Sequence, residues 1–190
     1  MTTLAPPRRK AEKILIRPSH PDDFEAIASI YNESIAAKNT TMDCELFDAD
    51  RVRALVEKFG DRETILVLQK RDRIVGWGII KRYSERSGYR VCCETSIYLS
   101  LSETGRGYGT QLQTHLLQKV KEFGYHHIVA KILACNQKSI AFHQRFGFEL
   151  VGIQKEIGYL NGRWHDIAIV QLVLPDIPPY HPNLKYSQSI

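Results

Sequence analysis

The chain has 190 residues, 43% of them hydrophobic, and carries 26 Lys and Arg against 21 Asp and Glu for a formal charge of +5. That length predicts one domain with a sizeable core, and no apolar run of about eighteen residues is present to cross a membrane as a helix. Part of the basic excess, Arg8, Arg9, Lys10 and Lys13, precedes the first strand-like run, so the mildly basic remainder suits a polyanionic small molecule at least as well as a duplex, and no nucleic-acid motif is visible.

In chain order, residues 1–12 are polar and proline-bearing and are expected to be a flexible segment before a domain spanning 13–174. Their polarity also predicts no secretory leader and a cytoplasmic protein. "KILIRP" reads as a strand. "HPDDFEAIASIYNESIAAK" follows with Phe24, Ile27, Tyr31 and Ile35 at helical spacing, and a second helix runs from about Asp48 to Phe59 with Val52, Leu55, Val56 and Phe59 on one face. Two strands then flank the charged turn Lys70 to Arg73 as a hairpin. "YRVCCETSIYL" (89–99) is a further strand. The next helix carries Leu112, Leu116, Val120 and Phe123 on one stripe and ends near Gly124. "HIVAKILA" reads as a buried strand, "NQKSIAFHQRFGF" as a short helix ending at Gly147, and two strands follow, one to about Ile157 and one from Trp164. Residues 175–190 form a proline-bearing tail. The order predicts an α/β (α+β) fold, a mixed and mostly antiparallel sheet of about seven strands with helices on both faces.

Between the strand ending at Leu99 and the helix that follows lies "SETGRGYGTQL", Ser102 to Leu112. Three glycines at a helix start suit an anion, because glycine tolerates positive φ and the first helical turn presents N–H groups without internal partners. The backbone around Gly105, Arg106, Gly107, Tyr108, Gly109 and Thr110 would form the cradle, with Arg106 adding a permanent charge. A dinucleotide loop is excluded because the third glycine comes one residue early, and a mononucleotide P-loop because no Gly-Lys-Ser/Thr closes it. A flexible turn remains the alternative on spacing alone. The four cysteines, Cys44, Cys92, Cys93 and Cys135, make no C-x-x-C, and His126-His127 diverge on a strand, so no metal is expected.

This arrangement resembles the GNAT acetyltransferase superfamily, over about residues 13–174. The family signature, Q/R-x-x-G-x-G/A, corresponds to Thr104-Gly105-Arg106-Gly107-Tyr108-Gly109, with threonine replacing the first polar or basic residue. In detail the chain is similar to phosphinothricin and methionine sulfone/sulfoximine acetyltransferases. Tyr31-Asn32, Gly76-Trp77, Gly88-Tyr89-Arg90, Glu94 to Tyr98, "THLL" at 114–117, Asn136 to Ser139, His143, Gly147-Phe148 and "GYLNGRWHDIAIVQ" (158–171) carry that similarity.

The resemblance implies acetyl-CoA as co-substrate and a primary amine of a small amino acid or analogue as acceptor, joined by direct attack. It implies Glu94 as the base that takes the amine proton, on the expectation that partial burial raises its pKa toward neutrality. His143 stands where an acid would protonate the leaving thiolate, since an imidazole can donate near pH 7. Asn136 would contact coenzyme A and also cap a helix, and Ile97, Tyr98 and Leu99 would offer backbone groups to the pantetheine amides. For the acceptor, Tyr31 and Asn32 are expected pocket residues and Arg86 the carboxylate cation, while Ser84 stands where a second basic residue belongs. A homodimer joined through the 158–166 turn and the last strand is also implied. Other amines, including a protein N-terminus, and a non-catalytic CoA-binding module are the alternatives.

Overall fold

The computed structural model describes residues 14–180, so the expected flexible segment 1–12 and positions 181–190 of the tail lie outside the described residues. In chain order the elements are β1 (Ile14–Pro18), α1 (Phe24–Ala37), α2 (Ala49–Val56), β2 (Thr64–Lys70), β3 (Arg73–Arg82), β4 (Cys92–Leu99), α3 (Tyr108–Glu122), β5 (His127–Leu133), α4 (Gln137–Gln144), β6 (Glu149–Leu160) and β7 (Arg163–Val173). The seven strands form one sheet in the order β1-β2-β3-β4-β5-β7-β6. All neighbours are antiparallel except β4 and β5.

Strand alternation divides β2 between two cores. Leu66 and Leu68 face one side with Leu112, Leu116 and Val120 of α3. Ile65 and Val67 face the other with Phe24, Ile27, Tyr31 and Ile35 of α1. Both helical stripes expected from the sequence are therefore core faces, at the i, i+4 and i, i+3 spacings of an amphipathic helix. Helix α2 begins where Asp48 Oδ1 accepts from Arg51 N at 2.8 Å, and α3 is followed by Gly124 at φ +69°, the left-handed stop that glycine adopts without strain.

Several boundaries differ from expectation: α2 ends at Val56 rather than Phe59, and α4 at Gln144 rather than Gly147. Residues Ser87–Tyr89 form a 3-10 turn, so β4 starts at Cys92 rather than Tyr89. Strand β6 runs on to Leu160, with irregular pairing to β7 between Gln154 and Gly158. Among the described residues no helix is long and apolar enough to cross a membrane, and no group of three His, Cys, Asp or Glu is placed to hold a metal.

Candidate active site

The parallel pair at the sheet centre is short. Cys92, Cys93 and Glu94 pair with His127, Ile128 and Val129, yet β4 runs five residues further, to Leu99, and β5 continues to Leu133. From Thr95 onward β4 is bonded on one side only, to β3. The strands part, and a cleft of about 310 Å³ opens between them, walled by Thr95 to Leu99, by Ala130 to Ile132, and by Asn136, Ser139, Phe142 and His143 of α4 and its cap. Ile97, Tyr98 and Leu99 thus turn an unpaired strand edge toward the cleft, which suits a ligand carrying amides. Thr95 Oγ1 is buried there with no hydrogen-bond partner among the described residues.

The glycine turn closes the same cleft, through Thr104 and Gly109. Gly105 and Gly107 have φ of +73° and +81°, and a Cβ at either would meet nothing within 4 Å. Glycine is required there by conformation rather than by crowding. Gly107 is the N-cap of α3, so the amides of Gly109 and Thr110 lie in its first turn, where no internal carbonyl serves them. Arg106 is exposed, with a 3.4 Å contact to Glu103. Glu103 is held more closely by Lys70, at 3.1 Å, which leaves most of the guanidinium fork open to an anion. Tyr108 is 6% exposed and packs into the core, so it can serve the cradle through its backbone alone. Thr104 Oγ1 donates to Leu101 O at 3.0 Å, an internal use of the side chain at the first signature position.

Glu94 itself lines neither this cleft nor a second cavity, but each of its two partners lines one of them. Its carboxylate pairs with Lys131 at 2.7 Å and with Lys81 at 3.1 Å. Lys131 lines the cleft and Lys81 the other cavity. The expected upward pKa shift is corrected here: burial does push the carboxyl up, but the hydrogen bond and charge of Lys131 with the charge of Lys81 outweigh it, and the net shift is downward. Glu94 is therefore a carboxylate throughout the neutral range.

His143 is 4% exposed. Its Nδ1 stands 2.8 Å from Ser139 O, and a carbonyl only accepts, so Nδ1 carries the proton. Burial lowers its pKa and outweighs the opposing hydrogen bond. In the resting protein the ring is neutral and Nε2 is an acceptor, contrary to the donor expected near pH 7. Asn136 Oδ1 caps α4 by accepting from Ser139 N at 3.1 Å, while the residue also lines the cleft. Both roles expected of it are geometrically compatible.

The second cavity, about 350 Å³, is walled by Tyr31, Phe47, Trp77 and Tyr98 together with Asp43, Arg51, Lys58 and Lys81. It meets the cleft across Ser96 and Tyr98, which line both. Tyr31, expected as a pocket residue, lines this cavity. Its hydroxyl bonds Thr41 and donates to Asp43, and burial first, then Tyr98 and Asp43, push its pKa up, so it stays a phenol. Asn32 does not reach this cavity. Its amide donates to Phe47 O and accepts from Phe47 N, each at 2.8 Å, which pins the 38–47 loop over α1. Arg86 is exposed on the turn before β4 and lines neither the cleft nor the cavity. Ser84, whose Oγ accepts from Arg86 N at 3.3 Å, lines a separate depression with Glu63, Arg82 and Arg90. Within this chain, the cation expected for the acceptor thus lies away from this cavity.

Sequence reasoning missed Lys81, Lys131, Asp43 and Arg51. Lys131 had a signal, as the lone Lys within the otherwise apolar strand "HIVAKIL".

The acetyltransferase (GNAT) domain model matches residues 16–169. A phosphinothricin N-acetyltransferase of Streptomyces viridochromogenes is 28% identical over 168 residues, 88% of this chain and 90% of that one. The L-methionine sulfoximine/L-methionine sulfone acetyltransferase of Pseudomonas paraeruginosa is 28% identical over 162 residues, 84% of this chain and 94% of that one. The structure of a phosphinothricin acetyltransferase from Sinorhizobium meliloti in complex with AcCoA superposes with a TM-score of 0.79 at 28% identity, covering 85% of this chain and 88% of that one.

Proposed function

The chain belongs to the GNAT acetyltransferase family, and from that premise we propose that it moves an acetyl group from acetyl-CoA to the primary amine of a small amino acid or analogue. The observation that carries the reading is the parting of β4 and β5, which joins a strand edge open to amides and a glycine-capped helix start to an aromatic cavity with its own charges. The diphosphate fits the 105–110 turn, the pantetheine fits the edge of Ile97 to Leu99, and the thioester comes to lie near Ser96 and Tyr98. Relatives named for phosphinothricin and methionine sulfone point to the acceptor class.

The thiols support direct attack. Burial, with a smaller push from Glu94, raises Cys92 to about 11, and burial raises Cys93 further above its usual value, so neither is a thiolate at neutral pH. Cys44 and Cys135 are exposed and line neither the cleft nor the acceptor cavity. The amine therefore attacks the thioester carbonyl itself. As the N–C bond forms, nitrogen sheds a proton toward Glu94, directly or through water, and the C–S bond breaks. That proton passes through water from Glu94 to Nε2 of the neutral His143 ring and on to the departing sulfur, so one proton moves from nitrogen to sulfur and both residues end as they began. Both substrates must be bound together, so double-reciprocal rate plots should intersect. Parallel lines, the mark of an acetyl-enzyme, would contradict direct attack.

We also infer a homodimer, in a cytoplasmic protein. Leu150, Val151, Ile153, Tyr159 and Trp164 are 45–61% exposed on the β6–β7 hairpin, at an open sheet edge of the kind that associates. Sedimentation at micromolar concentration should give a dimer, weakened by Trp164→Glu; a monomer alone would remove this inference.

A further inference from the structure

We propose that the anionic end of the acceptor is read by one face of α2 and its following turn, through Arg51 and Lys58, in place of Arg86. This inference rests on the amino-acid reading above and deepens it.

Arg51, Ala54, Leu55 and Lys58 all line the Tyr31 cavity. They stand at i, i+3, i+4 and i+7, one helical stripe with a cation at each end and an apolar centre. Arg51 is fixed by stacking 4.0 Å over Phe47 and by a 3.2 Å pair with Glu45, and its guanidinium has further donors in its fork. Lys58 makes no ion pair among the described residues. Trp77 also lines the cavity, at 6% exposure, and completes its apolar wall. Two cations on one wall of a cavity, one of them with no ion pair among the described residues, suit an oxyanion.

The cavity is polar in the sense an amino acid requires. Its carboxylate, Asp43, accepts from Tyr31, and Tyr31 packs edge-on to Tyr98 at 4.9 Å, at the border with the cleft. The acidic end is next to the thioester and suits the amine; the α2 end suits the carboxylate. Lys81 is held by the largely buried Glu94, whereas the Glu45 partner of Arg51 is exposed and leaves other donors of its fork available, so the task falls to Arg51 and Lys58.

The test uses methionine sulfone and 3-(methylsulfonyl)propylamine, the same amine without its carboxylate, with the full-length protein and saturating acetyl-CoA. Wild type should favour the amino acid in kcat/KM, and the Arg51→Gln/Lys58→Gln double variant should reduce that preference about tenfold, mainly through KM, with the amine unaffected. An unchanged preference in the double variant, or a loss confined to Arg86→Gln, overturns the proposal. If wild type acetylates neither compound, the amino-acid reading fails instead. Calorimetric titration of methionine sulfone then decides this site by itself: heat of binding lost in the double variant supports it, and heat that is absent in wild type or unchanged in the variant overturns it.

Discussion

Glu94→Gln is expected to lower turnover by about 10²- to 10⁴-fold while leaving acetyl-CoA binding near its wild-type value, because the amide keeps the shape and removes the proton acceptor. The pH profile gives the finer test. The lysines hold the Glu94 pKa below its ordinary value, so Glu94 is ionised above that lowered pKa and loses its function only as pH falls through it. A limb near neutrality or above therefore belongs to the acceptor ammonium, whose pKa is about 8 for an α-amino group, and it should survive in Glu94→Gln at a reduced plateau. Lys131→Met removes the 2.7 Å partner. The Glu94 pKa then rises, and the acidic loss of activity begins at higher pH than in wild type. Wild-type turnover in Glu94→Gln would make the carboxylate a structural partner of the two lysines.

Gly107→Asp should abolish the stabilisation of the fold by acetyl-CoA. At one hundred times the dissociation constant a ligand adds about 2.7 kcal/mol, or about 5 to 11 °C of melting temperature for a chain of this size. The new carboxylate would project into the open space beside Gly107, where the diphosphate fits, and repel it. Aspartate also strains a residue held at φ +81°, so Gly107→Ala is the companion: it carries strain without charge, melts earlier, and keeps part of the shift. A full acetyl-CoA shift in Gly107→Asp would remove the cradle assignment.

Much of the fold was legible because it is written in local periodicity. The stripe Leu112, Leu116, Val120 reads as a helical face, and the charged turn at Lys70 to Arg73 as the link between two strands, as the structure has them. Glycine-rich spacing likewise located the turn at 105–109, although the positive φ at Gly105 and Gly107 and its absence at Gly109 required the backbone. The parting of β4 from β5 was not legible, since it depends on strands separated by a whole helix. For the same reason the pairing of Glu94 with Lys81 and Lys131 was missed and its pKa was expected to move the wrong way: burial can be read from one strand, but the two lysines come from its neighbours. Asn32 and Arg86 were placed by resemblance. The first clasps the backbone of Phe47, and the second lies on a turn away from the Tyr31 cavity, which is lined by Arg51 and Lys58 of α2 and its following turn.

The central claim is tested most directly by following thiol release from acetyl-CoA in the presence of methionine sulfone, with the product identified by mass. The account predicts release that depends on the amine and yields N-acetylmethionine sulfone in equal amount. Release at the same rate without amine, or none with methionine sulfone and a panel of other primary amines, would contradict it.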